Sequence, residues 1–222
     1  MLRLTHPSLF LAWTLSVTLV FIGIDLMLYD DVSRVFKEEG AIEYISAVHL
    51  IGATVLWYSL HPGPASRRDW HIPVLLILAA MRELDFDKRF TSNGVLQLRL
   101  YSADGPLVEK LIGATVVILL LVALVRLVRR NLRGWLHRLR HADPSAWLVL
   151  LALAAIAVAK SLDGAGRKLA PLGIDLDPSV GIRLGRLEEL LELVAALTLI
   201  QAIVYFRRDW GQGSPKPADR RP

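Results

Sequence analysis

The chain has 222 residues, 54% of them hydrophobic and only 21% charged, with no cysteine. That composition excludes an ordinary soluble domain and a disordered chain, and the missing thiols exclude disulfides, thiol nucleophiles and thiolate-bound metal. A net charge of +5 would suggest nucleic acid in a soluble protein. Here the basic residues fall between apolar blocks, where they orient a chain in a bilayer and argue against a nucleic-acid partner.

The apolar blocks predict an all-α, polytopic membrane helix bundle with six transmembrane helices. The first runs from Leu9 to about Tyr29 and the second from Ala41 to Leu60. With no small-residue cleavage site after it, the first block is expected to remain as a helix. The third, Trp70 to Thr91, is irregular: only ten residues, Ile72 to Met81, separate His71 from Arg82, where a bilayer core needs about 20. It reads either as a re-entrant segment or as a span carrying Arg82, Glu83, Asp85 and Asp87 into the hydrocarbon. The remaining helices are placed at about Pro106 to Leu127, Ser145 to Asp163 and Leu187 to Phe206.

The basic residues decide between the two readings of the third block. Arg126, Arg129, Arg130, Arg133, Arg138 and Arg140 precede the first acid, Asp143. Arg67 and Arg68 lie in the 61–71 connection, and Arg207, Arg208, Lys216, Arg220 and Arg221 follow the last helix. All three clusters can face the cytoplasm together only if the third block spans. Both termini are then cytoplasmic, in a bacterial inner membrane, and the connections 30–40, 88–105 and 164–186 face outward. A transmembrane domain over 1–210 and a disordered cytoplasmic tail over 211–222, GQGSPKPADRRP, complete the organisation.

Within the connections, VLQLRLY alternates like a short strand or interfacial segment, and LGIDLDPS reads as a structured loop that caps the bundle. The arginine-rich stretch Arg126–Arg140, interleaved with Leu127, Val128, Leu132, Trp135, Leu136 and Leu139, predicts a helix along the inner membrane surface with membrane lipids and their anionic headgroups as partners. LIGATV occurs at Leu50–Val55 and again at Leu111–Val116. Small residues at helix contacts account for it more simply than duplication.

Nearly every intramembrane polar residue falls in the outer half of this topology. Glu39 and Glu43 are one turn apart, followed by Ser46 and His49; Glu83 and Asp87 are again one turn apart; Lys160, Asp163 and Arg167 stack, as do Glu188 and Glu192. Intramembrane charge at this density is a functional-site hypothesis by default. One reading is a metal-dependent or acid–base hydrolase or transferase on a lipid or envelope substrate. Its catalytic candidates are Glu43, His49, Glu83, Asp87 and Lys160, and a divalent metal ion would be held by Glu39, Glu43, His49 and Glu83. The alternatives are proton-coupled transport of a small solute, or a structural or accessory membrane subunit. In the last, Arg82, Lys110 and Lys160 neutralise Glu83, Glu109 and Glu192 in a buried ion-pair network.

The run EEG-x-IE at Glu38–Glu43, A-x-RELDFDKRF in the third helix, YSADGPLVEKLI at the entry to the fourth and AKSLDG at the end of the fifth together resemble a family of uncharacterised bacterial multi-pass inner-membrane proteins, over most of the chain. In plan the chain is distantly similar to the ceramidase-like membrane hydrolases, which have seven helices and a zinc held by three histidines. It departs from them in lacking that histidine set and one helix, and no family residue role is carried over.

Overall fold

The computed structural model describes residues 6–29, 33–36, 40–61 and 63–212. Among the described residues the regular structure is helical throughout: α1 Pro7–Tyr29, α2 Ala41–Leu60, α3 Pro64–Arg68, α4 His71–Glu83, α5 Phe86–Phe90, α6 Leu98–Ser102, α7 Leu107–Arg140, α8 Pro144–Leu162, α9 Ala165–Leu169 and α10 Pro178–Gln212, with single 3₁₀ turns at Arg34–Phe36 and Ala170–Leu172. Helices α1, α2, α7, α8 and the Pro178–Phe206 part of α10 are long and apolar enough to cross a membrane. The outward faces of α1 and α7 carry exposed Leu, Val, Ile and Met side chains throughout, as hydrocarbon solvent rather than water requires.

Helix α2 is the hub. Its Leu50, Ala53 and Trp57 pack on Leu76 and Ala80 of α4, on Ala196, Ile200, Ile203 and Val204 of α10, and on Phe10 of α1. Nearer its start, Ala41, Ile42 and Ile45 close on Val35 and Leu193. Helix α8 contributes only alanines to its buried apolar contact with α10: Ala152 and Ala155 meet Ala195, with Leu191 and Leu199 of α10 alongside, and small residues of this kind let two helix backbones approach closely in a membrane.

The two LIGATV copies have different neighbours. A Cβ on Gly52 would lie 3.5 Å from Ile200 of α10, and one on Gly113 would come within 2.8 Å of Leu100 and of the Tyr101 hydroxyl on α6.

Several expectations are revised. The third block is two helices, α4 and the short α5, broken at Leu84–Asp85, where Asp85 takes a left-handed φ of 46°. Asp is among the few residues that adopt this conformation readily. The VLQLRLY segment is not a strand. From Leu98 it coils into α6, which packs on α7 rather than pairing with another segment. Helix α10 begins at Pro178 instead of near Leu187, because GIRLGRLEEL is built mainly from strong helix formers despite its charge. LGIDLDPS is therefore the entry to that helix, exposed apart from the half-buried Leu176. Only Gly211 and Gln212 of the expected disordered tail are described, at the end of α10; residues 213–222 lie outside the described residues.

Both α8 and α10 open on the same tripeptide, Asp-Pro-Ser. The Ser145 amide donates to Asp143 Oδ1 at 2.7 Å and the Ser179 amide to Asp177 Oδ1 at 2.8 Å. Aspartate thus caps orphan amides while proline fills the first helical position, where no amide is needed. Burial raises the Asp143 carboxyl, but the hydrogen bonds from Ser145 and Ala146 and the nearby Arg138 outweigh it and hold the group below its ordinary value.

The arginine-rich stretch is not a separate surface helix. Helix α7 runs unbroken for 34 residues, about 51 Å at 1.5 Å per residue, because nothing between Leu124 and Arg140 except Gly134 opposes helix. Its far half is docked on the bundle: Arg130 pairs with Asp69 at 3.3 Å, the buried His71 meets Asn131 Oδ1 at 2.8 Å, Trp135 Nε1 donates to the Ala146 carbonyl, and Arg138 stacks over Phe206. The helix ends where Ala142 adopts φ 55°, with the Asp143 amide returning to Arg138 O and the Ala142 amide to Leu139 O. This is a Schellman closure with alanine where glycine is usual.

Candidate functional site

Because the helices alternate in direction, the start of α2, the ends of α4 and α8 and the first half of α10 meet at one end of the bundle. Each brings charge. Lys160, in the last turn of α8, sits between two carboxylates: its Nζ lies 2.5 Å from Glu192 Oε1 and 3.4 Å from Glu188 Oε1. Those two glutamates are four apart on α10, so both face α8. Arg82 approaches Glu192 from α4 at 3.6 Å. The carboxylates are the protected partners, with Glu192 12% and Glu188 17% exposed, whereas Arg82 is half open. Glu83 feels the charges of Glu192, Arg82, Lys160 and Glu43, and Glu189 those of Glu192, Glu43, Glu83 and Glu188. Glutamates from three helices therefore gather around two cations.

The pairing differs in part from expectation. Lys160 does neutralise Glu192. Arg82 reaches across to Glu192 instead of bonding its own neighbour Glu83, since consecutive residues on a helix point about 100° apart. Lys110 and Glu109 take no part in this network. Lys110 Nζ donates to the Ala103 carbonyl and Glu109 accepts from the Ser92 amide, so together they staple the 92–106 connection to the start of α7.

The expected divalent metal site is overturned. Among the described residues no group of three or more His, Asp or Glu side chains could hold a metal ion. The reason is helical geometry. Glu43 and His49 are six residues apart on α2, about 9 Å along the axis and about 120° around it, so they cannot ligate one ion.

His49 turns into the core, 3% exposed, and meets Thr18 Oγ1 of α1 at 2.8 Å. The Thr18 hydroxyl already donates to the Thr14 carbonyl. Its single proton is thus committed, and Nε2 of His49 is the donor between them. The histidine ties α1 to α2 and stands apart from the carboxylates around Lys160. Glu43 and Glu83 border the network, Glu39 lies outside the described residues, and Asp87 lies on α5 with its side chain outside the described residues.

Sequence reasoning overlooked Thr18 as the partner of His49, Glu188 as the second partner of Lys160, and the His71–Asn131 tie at the opposite end. A threonine on an apolar helix facing a histidine two helices' length away in sequence carries no local signal. Glu188 did carry one, its spacing from Glu192. The chain matches no protein-family model, no curated protein and no solved structure.

Proposed function

We propose that the protein is a structural or accessory subunit of the bacterial inner membrane, in which the ion-pair network locks α4, α8 and α10 together at one end of the bundle. The observation that carries this reading is Lys160, held between Glu188 and Glu192 with Arg82 on the far side of Glu192. The cations are engaged by carboxylates of neighbouring helices, an arrangement that specifies which helices pack and at what height. The test replaces the cluster as a unit. A chain carrying Lys160→Met, Glu188→Gln and Glu192→Met together is expected to fold and to correct any growth defect caused by loss of the gene. A variant that folds but leaves the defect uncorrected would assign the carboxylates a chemical task and overturn the reading.

In this proposal the chain crosses six times, α4 with α5 supplying the short third crossing, and both termini are cytoplasmic. The support is the charge rule: the arginines of α3, α7 and the end of α10 gather at one end of the bundle, opposite the glutamates. Of the α7 arginines, Arg129, Arg133 and Arg140 are exposed and placed to meet anionic headgroups of the inner leaflet. The absence of native cysteine makes the topology directly measurable. Single cysteines at the exposed positions Arg67 or Gly134 should react with a membrane-impermeant maleimide only after the cells are opened, and one at the exposed Ser92 or Asp175 should react in intact cells. The reverse pattern, or Arg67 and Gly134 on opposite sides, would refute six spans in this orientation.

A further inference from the structure

The contacts of the second half of α7 fix its depth in the bundle. Counted at about 1.5 Å per residue from the shared network of Arg82, Lys160 and Glu192, His71 lies about 17 Å along α4, Ala146 about 21 Å along α8 and Phe206 about 21 Å along α10. Helix α7 touches all three, through Asn131, Trp135 and Arg138. These three residues spread over about 10 Å of the α7 axis, yet their partners differ by only about 4 Å in depth. This half of α7 therefore slants across the end of the bundle instead of projecting from it. The same depth is where the apolar spans stop, since α8 begins at Pro144 and the apolar part of α10 ends at Phe206.

The surface that α7 presents there is basic and largely unneutralised. Arg126, Arg129, Arg130, Arg133 and Arg140 fall within an arc of about 100° on the helix, and the sequence holds no acid from Leu111 to Ala142. From Arg126 to Arg133 the spacings are three and four, at which like charges repel. Helix α3 brings Arg67 and Arg68 to the same corner: Arg126 donates to the Arg68 carbonyl at 3.0 Å, and Arg130 pairs with Asp69 at 3.3 Å. Asp69 is the only acid between Leu60 and Arg82. Arg67, Arg68, Arg129 and Arg133 are exposed. The Trp70 ring lies 5.8 Å from the Arg126 guanidinium, an aromatic of the kind that sits at headgroup level.

We propose that this corner of α3 and α7 binds the phosphate of an anionic phospholipid. Guanidinium groups recognise phosphate through paired N–H donors, and a lipid supplies that phosphate at the depth where the apolar helices end. A soluble phosphate shares the chemistry but gains nothing from that depth or from Trp70. The inference rests on the headgroup contact proposed above and deepens it by naming a site that retains a lipid. Retention is measured on purified protein, whichever way the chain is inserted, so it fails separately from the topology.

The full chain is purified in detergent, given equal amounts of phosphatidylglycerol and phosphatidylcholine with identical acyl chains, and weighed by native mass spectrometry. The unmodified chain should retain phosphatidylglycerol in preference. Arg67→Gln, Arg68→Gln and Arg129→Gln together, all at exposed positions, should lower that preference by about fivefold or more, the effect of a single basic residue near an anionic membrane surface. Arg89→Gln, Arg99→Gln and Arg183→Gln remove equal charge from exposed positions at the opposite end and should leave it unchanged. Equal retention of both lipids by the unmodified chain, or the same loss in both triple variants, would overturn the proposal. Displacement of the retained lipid by millimolar inorganic phosphate at constant ionic strength would assign the site to a soluble phosphate and overturn it as well.

Discussion

Lys160→Met destabilises the bundle by about 2–3 kcal/mol, measured as the shift in unfolding free energy of the purified protein in mixed detergent micelles. Removing the ammonium leaves Glu192 and Glu188, 12% and 17% exposed, with only the half-open Arg82 at 3.6 Å. A fully buried pair broken in this way costs about 3–5 kcal/mol, and the figure is reduced here because Lys160 is about a third exposed and water partly screens the site. The partner substitution makes the prediction specific. In Lys160→Met, Glu192→Met part of the loss is recovered, since an apolar pair of similar volume removes the more buried of the two uncompensated carboxylates, leaving Glu188, and Arg82 can turn to water. Glu192→Met alone falls between the two. A Lys160→Met protein as stable as its parent would mean that the network contributes nothing to packing.

What the sequence made legible follows from which forces are local. Apolar blocks announce themselves because lipid solvates whole faces, so α2 and α8 fall within a residue or so of their expected limits. Helix α7 was cut short for the opposite reason: its arginines mark the membrane boundary, but a boundary between solvents does not end a helix, and only the turn at Ala142 does. The start of α10 was hidden by charge and glycine, although the Asp-Pro-Ser tripeptide that opens both α8 and α10 is a usable signal.

The charge network was legible as a set of residues at one end, because helix period and topology place them at similar depth. Its pairing was not. Whether Arg82 serves Glu83 or Glu192 depends on how α4 is rotated relative to α10, and that rotation is set through α2, whose Leu50, Ala53 and Trp57 lie in one core with Leu76 and Ala80 of α4 and with Ala196 and Ile200 of α10, contacts that no local pattern encodes. The supposed ligand set around His49 failed on the same point. Residues were grouped by depth, whereas a shared site also demands a shared face, and His49 faces Thr18.

The alanine contact between α8 and α10 is what allows Lys160 to reach its carboxylates, and Ala152→Leu tests that dependence. Ala152 has no exposed surface and packs against Ala195, with Leu191 and Leu199 alongside. Three added carbons have no space there without moving one backbone off the other. The expected cost is about 3 kcal/mol, the upper part of the range for overpacking, since Ala152 is fully buried and the Ala195 it faces has no side chain beyond Cβ that can rotate away. Ala154→Leu provides the control: the same chemical change on the exposed face of the same helix should alter stability by less than about 0.5 kcal/mol. A second readout tests the link to the network. Once α8 is displaced, Lys160 no longer sits between Glu188 and Glu192, so Lys160→Met should cost much less in the Ala152→Leu background than alone. Additive costs would show instead that the ion pairs hold regardless of the helix spacing, and that the alanines and the charges stabilise the bundle independently.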